Sequence, residues 1–217
     1  MVLIHLYSPA DGRAVQVSEM EWNMAKKGLV GLFAVIGIVI LFGIIIGGWY
    51  MGTRNTLVTL EESIDASWAE IDNQLQRRAD LIPNLVNTVK GYATQEREVF
   101  TQIAEARAKL AGAGTVGEKA AGYNELQSAL GRLLVVVERY PELKSNVNFI
   151  RLQDELAGTE NRIAVARKRY NDSVRTFNTK IRRFPAAIVA RAMDFEQKEY
   201  FQIEERSREV PEVDFDS

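Results

Sequence analysis

WAEIDNQLQRRADLIPNLVNTVKGY, residues 68–92, is the stretch whose reading decides the fold. Trp68, Ile71, Leu75, Arg78, Ile82, Leu85, Val89 and Tyr92 recur at alternating intervals of three and four. That spacing lays them along one stripe of an α-helix, whereas a strand would repeat with period two. Two residues resist the pattern. Arg78 holds a seam position, so the period directs a guanidinium inward, where it needs a carboxylate, carbonyls, a route to the bundle edge or another subunit. Pro83 removes a backbone N–H and blocks the bond to the Ala79 carbonyl. This predicts a kink and frees that carbonyl for a nearby Arg or Asn side chain.

Outward from this stretch the pattern persists. It begins near Leu57 and Leu60, shifts phase at Ile64, and resumes at Val99, Ile103, Ala106 and Leu110 with Glu96 between. A first long helix is therefore expected from about Thr53 to Leu110. The run Ala111–Gly117, rich in glycine, ends it and forms a loop. A second helix, about Glu118 to Glu138, carries Leu126, Leu130, Leu133 and Val137 on one face. A third, about Pro141 to Arg183, carries Leu152, Leu156, Ile163, Ala166, Tyr170, Val174, Phe177 and Ile181. Phe184-Pro185 opens a shorter fourth, to about Glu199. Short connections between amphipathic helices predict antiparallel packing. The fold class is all-α, with an N-terminal transmembrane helix followed by an elongated antiparallel four-helix bundle.

Toward the amino terminus, Gly28–Gly52 holds no charged residue. At about 1.5 Å per helical residue the run exceeds the ~30 Å of bilayer hydrocarbon. It is too long for a signal h-region, and no small-x-small cleavage site clearly follows. Trp22 and Trp49-Tyr50 flank it as interfacial aromatics do. Four segments follow: a head of flexible or interfacial character over residues 1–27, the membrane helix over 28–52, the bundle over 53–200 and an acidic extended tail over 201–217. Arg13, Lys26 and Lys27 precede the span and only Arg54 closely follows it, which leans toward a cytoplasmic amino terminus with the bundle outside.

Composition narrows the chemistry. A net charge of −2 over 217 residues gives no field for nucleic acid, and without cysteine there are no disulfides and no thiolate chemistry. The sole histidine, His5, lies in the head, so neither a catalytic triad nor a Glu-x-x-His di-iron set can be assembled. Gly112, Gly114 and Gly117 lack the lysine and hydroxyl residue that a phosphate loop requires. Glu61, Glu62 and Asp65 read as a solvated face near the membrane. No catalytic residue, cofactor or metal is expected.

Two polar concentrations remain. One is Arg77, Arg78, Asp80, Pro83 and Asn84. The other, Asn161, Arg162, Arg167, Arg169, Tyr170 and Asn171, has its cations on the flanks of the third helix. It reads either as a solvated basic face or as a surface for anionic lipid or an acidic partner. In the span, Gly43, Gly47, Gly48 and Gly52 form small-xxx-small pairs that permit close helix contact.

These segments resemble the LemA family of bacterial membrane-anchored proteins. The matching pieces are Trp68–Asp72, Gln74–Val86, Val89–Tyr92, Asn161–Arg167, Tyr170-Asn171, Phe177-Asn178 and Phe184-Pro185. The resemblance implies one amino-terminal membrane helix and a helical bundle, with no established activity. It also implies a tiny external amino terminus and a cytoplasmic bundle, from which this chain departs through its 27-residue head ending in Lys26-Lys27.

Two functions are in view. One is a non-enzymatic scaffold in the bacterial inner membrane, associating with lipid and with copies of itself and shaping the bilayer. The other is an envelope sensor or adaptor that binds protein partners through the basic face of the third helix.

Overall fold

The computed structural model describes residues 11–202, with side chains from Lys26 onward, and contains no strand among them. His5 and the acidic run Val210–Ser217 lie outside the described residues, and so does the side chain of Trp22. The described chain divides into two units between Arg54 and Asn55. Helix α1 is assigned from Asp11 to Lys90. Residues 11–27 are therefore helical.

In the first unit, the large apolar side chains from Leu29 to Met51 are exposed. This stretch is long and apolar enough to cross a membrane, and none of its most apolar window is buried. A core helix of a soluble protein with the same composition would be covered by protein.

The second unit is an all-helical bundle. It holds the later part of α1, α2 (Arg97–Gly112), α3 (Val116–Val137), α4 (Pro141–Lys144), α5 (Val147–Arg182) and α6 (Ala186–Ala192). Pairwise contacts fix the directions. Along α1, Ser67, Gln74, Arg78 and Tyr92 meet Ser173, Arg162, Leu156 and Asn146 in turn, so α5 runs antiparallel. Glu96 to Arg139 and Lys109 to Glu125 make α2 and α3 antiparallel. Asp72 to Lys119 and Arg78 to Gln127 run in the same sense, so α1 and α3 are parallel. This is the up-down-up-down arrangement that short loops favour. The expected seams are its core: Ile71, Leu75, Leu126, Leu133, Ile163, Val174 and Phe177 are all nearly or fully buried.

The single helix expected from Thr53 to Leu110 is two. Gly91 follows α1, a turn occupies Gly91–Glu96, and α2 folds back. The heptad spacing carries across the break because the turn replaces a helical turn without changing the phase. Glu96, polar at a seam position, precedes α2 without a side-chain capping bond and pairs with Arg139 at 2.7 Å. The fourth helix also stops short, at Ala192 rather than near Glu199. Asp194 turns the chain with a positive φ of 53°, and the residues after it run on without helix. Side-chain amides then claim their backbone: Asn178 bonds both N and O of Lys198, and Asn171 does the same for Phe201.

Two local fits explain how the helices meet. The Ala79 carbonyl, freed by Pro83, accepts a hydrogen bond from Arg107 Nε at 2.8 Å, which ties α2 to α1. At Gly122 a Cβ would stand 2.8 Å from Leu110 Cα, so glycine permits the close crossing of α2 and α3.

Arg107→Met should lower stability by about 1–2 kcal/mol in chemical denaturation, because a partly buried carbonyl loses its donor. Most of that loss should vanish in a Pro83→Ala background, where the backbone N–H returns. Gly122→Ala should cost about 1–3 kcal/mol by overpacking. Gly131→Ala, where a Cβ meets nothing, should stabilise α3 by up to about 1 kcal/mol.

Candidate functional site

The bundle buries one guanidinium. Arg78 is 5% exposed, carried inward by the seam of α1 as its position in the period predicts. Its Nη1 donates to the Leu156 carbonyl at 3.1 Å and to Thr159 Oγ1 at 3.4 Å, and lies 2.9 Å from Glu160 Oε2. Its Nη2 donates to Gln127 Oε1 at 2.5 Å. Tyr123 Oη and Gln127 Nε2 donate to the same Glu160 oxygen at 2.5 and 2.7 Å. The guanidinium also stands 5.8 Å from the Tyr123 ring centroid. Only Nε finds no acceptor among the described residues.

This network satisfies a charge at the junction of α1, α3 and α5. Within it the Tyr123 hydroxyl meets the Glu160 carboxylate. Burial, followed by the bond to Glu160, pushes the Tyr123 phenol far above its ordinary range, so it stays protonated and donates. Among the described residues no group of three or more His, Cys, Asp or Glu comes together.

The other residues of the RRADLIPN segment divide around Arg78. Arg77 is exposed. Asp80 is exposed and accepts from Gln76 at 3.0 Å, and Asn84 is exposed with its carbonyl held by Thr88. Pro83 is half-buried and acts through the freed Ala79 carbonyl.

The 161–171 concentration likewise separates into distinct roles. Asn161, Arg162 and Arg169 border a shallow depression with Val165 and Glu70, and Arg162 Nε reaches Gln74 at 3.1 Å. Arg167 lines a different depression with Lys168, Asn171 and Phe201. Tyr170 and Asn171 face the C-terminal stretch. The Tyr170 hydroxyl donates to the Glu199 carbonyl at 2.8 Å, and its ring stands 5.5 Å from that of Trp68. Phe201, fully buried, packs 5.9 Å from Trp68 on its other contact. In the apolar span, a Cβ added at Gly43, Gly47, Gly48 or Gly52 would meet no heavy atom within 4 Å.

Sequence reading did not single out Gln127, Glu160, Thr159, Tyr123, Arg107 or Phe201. Thr159 gave a signal: it falls between Leu156 and Ile163 in the α5 seam, a polar residue at an inward position. Glu160 and Gln127 gave none, since they lie beside their seams and pair only through the tertiary fold.

A family model described as the LemA family matches residues 67–215. Among curated proteins, the chain is 29% identical to magnetosome protein MamQ 2 of Paramagnetospirillum magneticum, over 68% of this chain and 64% of that protein. It is 27% identical to magnetosome protein MamQ of Magnetospirillum gryphiswaldense, over the same shares of each. The aligned chain thus spans less than two thirds of the length of these relatives. Protein LemA of Metamycoplasma hominis is 25% identical over 77% of this chain and 75% of its own length.

Arg78→Met should cost about 3 kcal/mol in unfolding, since it leaves Gln127 Oε1 without its donor and the half-buried Glu160 without its cation. Arg78→Lys should recover only part of this, because an ammonium cannot span the same fork of acceptors. Burial, then Glu199 and Asp65, pushes the Tyr170 phenol up to about 12 from its ordinary 10.0. The unfolded chain therefore ionises first as pH rises, so this contribution is complete below pH 10 and is lost between about 10 and 12. Denaturation midpoints measured across that window should fall, and less steeply in Tyr170→Phe.

Proposed function

The chain belongs to the LemA family, and we propose that it is a non-enzymatic scaffold anchored in the bacterial inner membrane. It self-associates through its apolar helix and its bundle, and so organises the bilayer around it. One observation carries this reading: the most chemically suggestive residue, Arg78, directs its terminal donors to groups that hold the bundle together. The chain devotes its buried polar chemistry to architecture.

The surfaces left over suit association. The span presents apolar side chains from Leu29 to Met51, with glycines at Gly43, Gly47, Gly48 and Gly52 where a second helix can approach closely. The relatives' names, magnetosome protein and protein LemA, designate a location or a family and state no reaction. The positive residues Lys26 and Lys27 before the span support a cytoplasmic amino terminus with the bundle outside. A second reading, an adaptor for envelope proteins, draws support from Arg169, which is exposed and has no ion-pair partner among the described residues.

Crosslinking and mass measurement of the full chain in mild detergent should give a discrete oligomer or a ladder of them. A strict monomer at micromolar concentration would overturn the scaffold. Gly43→Ile combined with Gly47→Ile should reduce the crosslinked fraction severalfold if the spans touch through these glycines.

A further inference from the structure

A groove of about 820 Å³ runs between α3 and α5 beside the Arg78 network. Its apolar floor includes Leu130, Leu134 and Leu156, and Leu134 remains 44% exposed. Its charged members are Glu125, Asp154 and Glu160 against the single guanidinium of Arg78. Arg78 is neutralised by Glu160, and Glu125 is engaged by Lys109. Asp154 is exposed and has no partner among the described residues. The three bonds that Glu160 accepts all end on Oε2, and Oε1 has none among the described residues. The groove is thus an apolar slot with unspent negative charge along one wall.

The neighbouring flank of α5 carries the complementary pattern. Arg162, Val165 and Arg169 follow spacings of three and four, so they form one stripe. Val165 is 52% exposed and stands between the two cations in a shallow depression that also contains Glu70. Along the axis, Arg162 and Arg169 are ~10 Å apart and Asp154 and Glu160 ~9 Å, at about 1.5 Å per residue. An apolar side chain flanked by cations therefore matches, in length and in sign, an apolar slot flanked by carboxylates.

We propose that the groove of one copy receives the Arg162–Val165–Arg169 stripe of a second copy. Val165 sits over the leucine floor, Arg169 or Arg162 pairs with Asp154, and the other reaches Glu160. Asp154, Ala157 and Glu160 line the groove shared with α3, and Arg162 bonds Gln74 of α1. The contact is reciprocal when the groove of each copy receives the stripe of the other, residue i meeting j and j meeting i as in a two-fold interface. This inference rests on the scaffold reading and specifies which surfaces meet.

The test uses the full-length chain in mild detergent, with self-association followed by sedimentation or mass photometry and helicity followed by circular dichroism. Asp154→Lys and Arg169→Glu, each alone, should weaken self-association about tenfold or more, since each sets like charges opposite one another. A one-to-one mixture of the two variants should assemble again, because each groove then faces a patch of opposite sign. If both single variants assemble as the wild type does, or if the mixture stays apart, the proposed interface is wrong while the scaffold stands. If the wild type is itself monomeric, the scaffold reading falls and takes the interface with it. Should either reversal lower helicity, Asp154→Asn and Arg169→Gln replace it, and unchanged association in both would overturn the interface.

Discussion

A guanidinium buried among three helices needs acceptors for its charge, and the register of those helices depends on that requirement. Arg78 needs a carbonyl from α5, an amide from α3 and a carboxylate that is itself held by Tyr123. Each of these groups can be in place only if α1, α3 and α5 share one register. Apolar seams alone would tolerate a slip of one heptad, since Leu and Ile substitute for one another along the stripe. The polar junction does not. A slip would leave a cation buried without acceptors, at a cost far above that of misfitted methyl groups.

The same logic governs the backbone around it. Pro83 opens a gap in the hydrogen bonding of α1 five residues beyond Arg78, and Arg107 closes it from α2. Two arginines thus connect α1 to its neighbours by opposite means: Arg78 carries its charge out from α1, and Arg107 brings one in. Gly122 then sets how near α3 can approach α2. Helix positions are fixed by a few polar bonds and one absent side chain, while the leucines supply cohesion.

The seams were legible because burial follows period, and every apolar position assigned to α3 and α5 is buried or nearly so. Arg78 was legible as an inward charge and Pro83 as the source of a free carbonyl. The partners were not legible, because Gln127 and Glu160 lie outside the stripes and meet Arg78 across 49 residues or more of chain. The break at Gly91 was hidden because a turn that preserves phase leaves the heptad count intact. The end of α6 was hidden for a different reason: Asp194, not a glycine, takes the positive φ that closes it, with the Phe195 N–H on the Ala190 carbonyl, and distant amides of Asn171 and Asn178 capture the following backbone. In general, what depended on spacing could be read, and what depended on a distant side chain could not.

The distance between Arg78 and its acceptors has a consequence in time. Thr159 follows Arg78 by 81 residues. At about 5–20 residues per second, roughly 4–16 s of synthesis separate them. Throughout that interval the acceptors that α5 supplies to Arg78 do not yet exist, and only Gln127 of α3 precedes them. Phe201, which the Asn171 amide clasps, comes later still. The bundle therefore closes only after α5 and the chain through Phe201 are made, and the apolar segment of α1 leaves the ribosome before the bundle that follows it can fold.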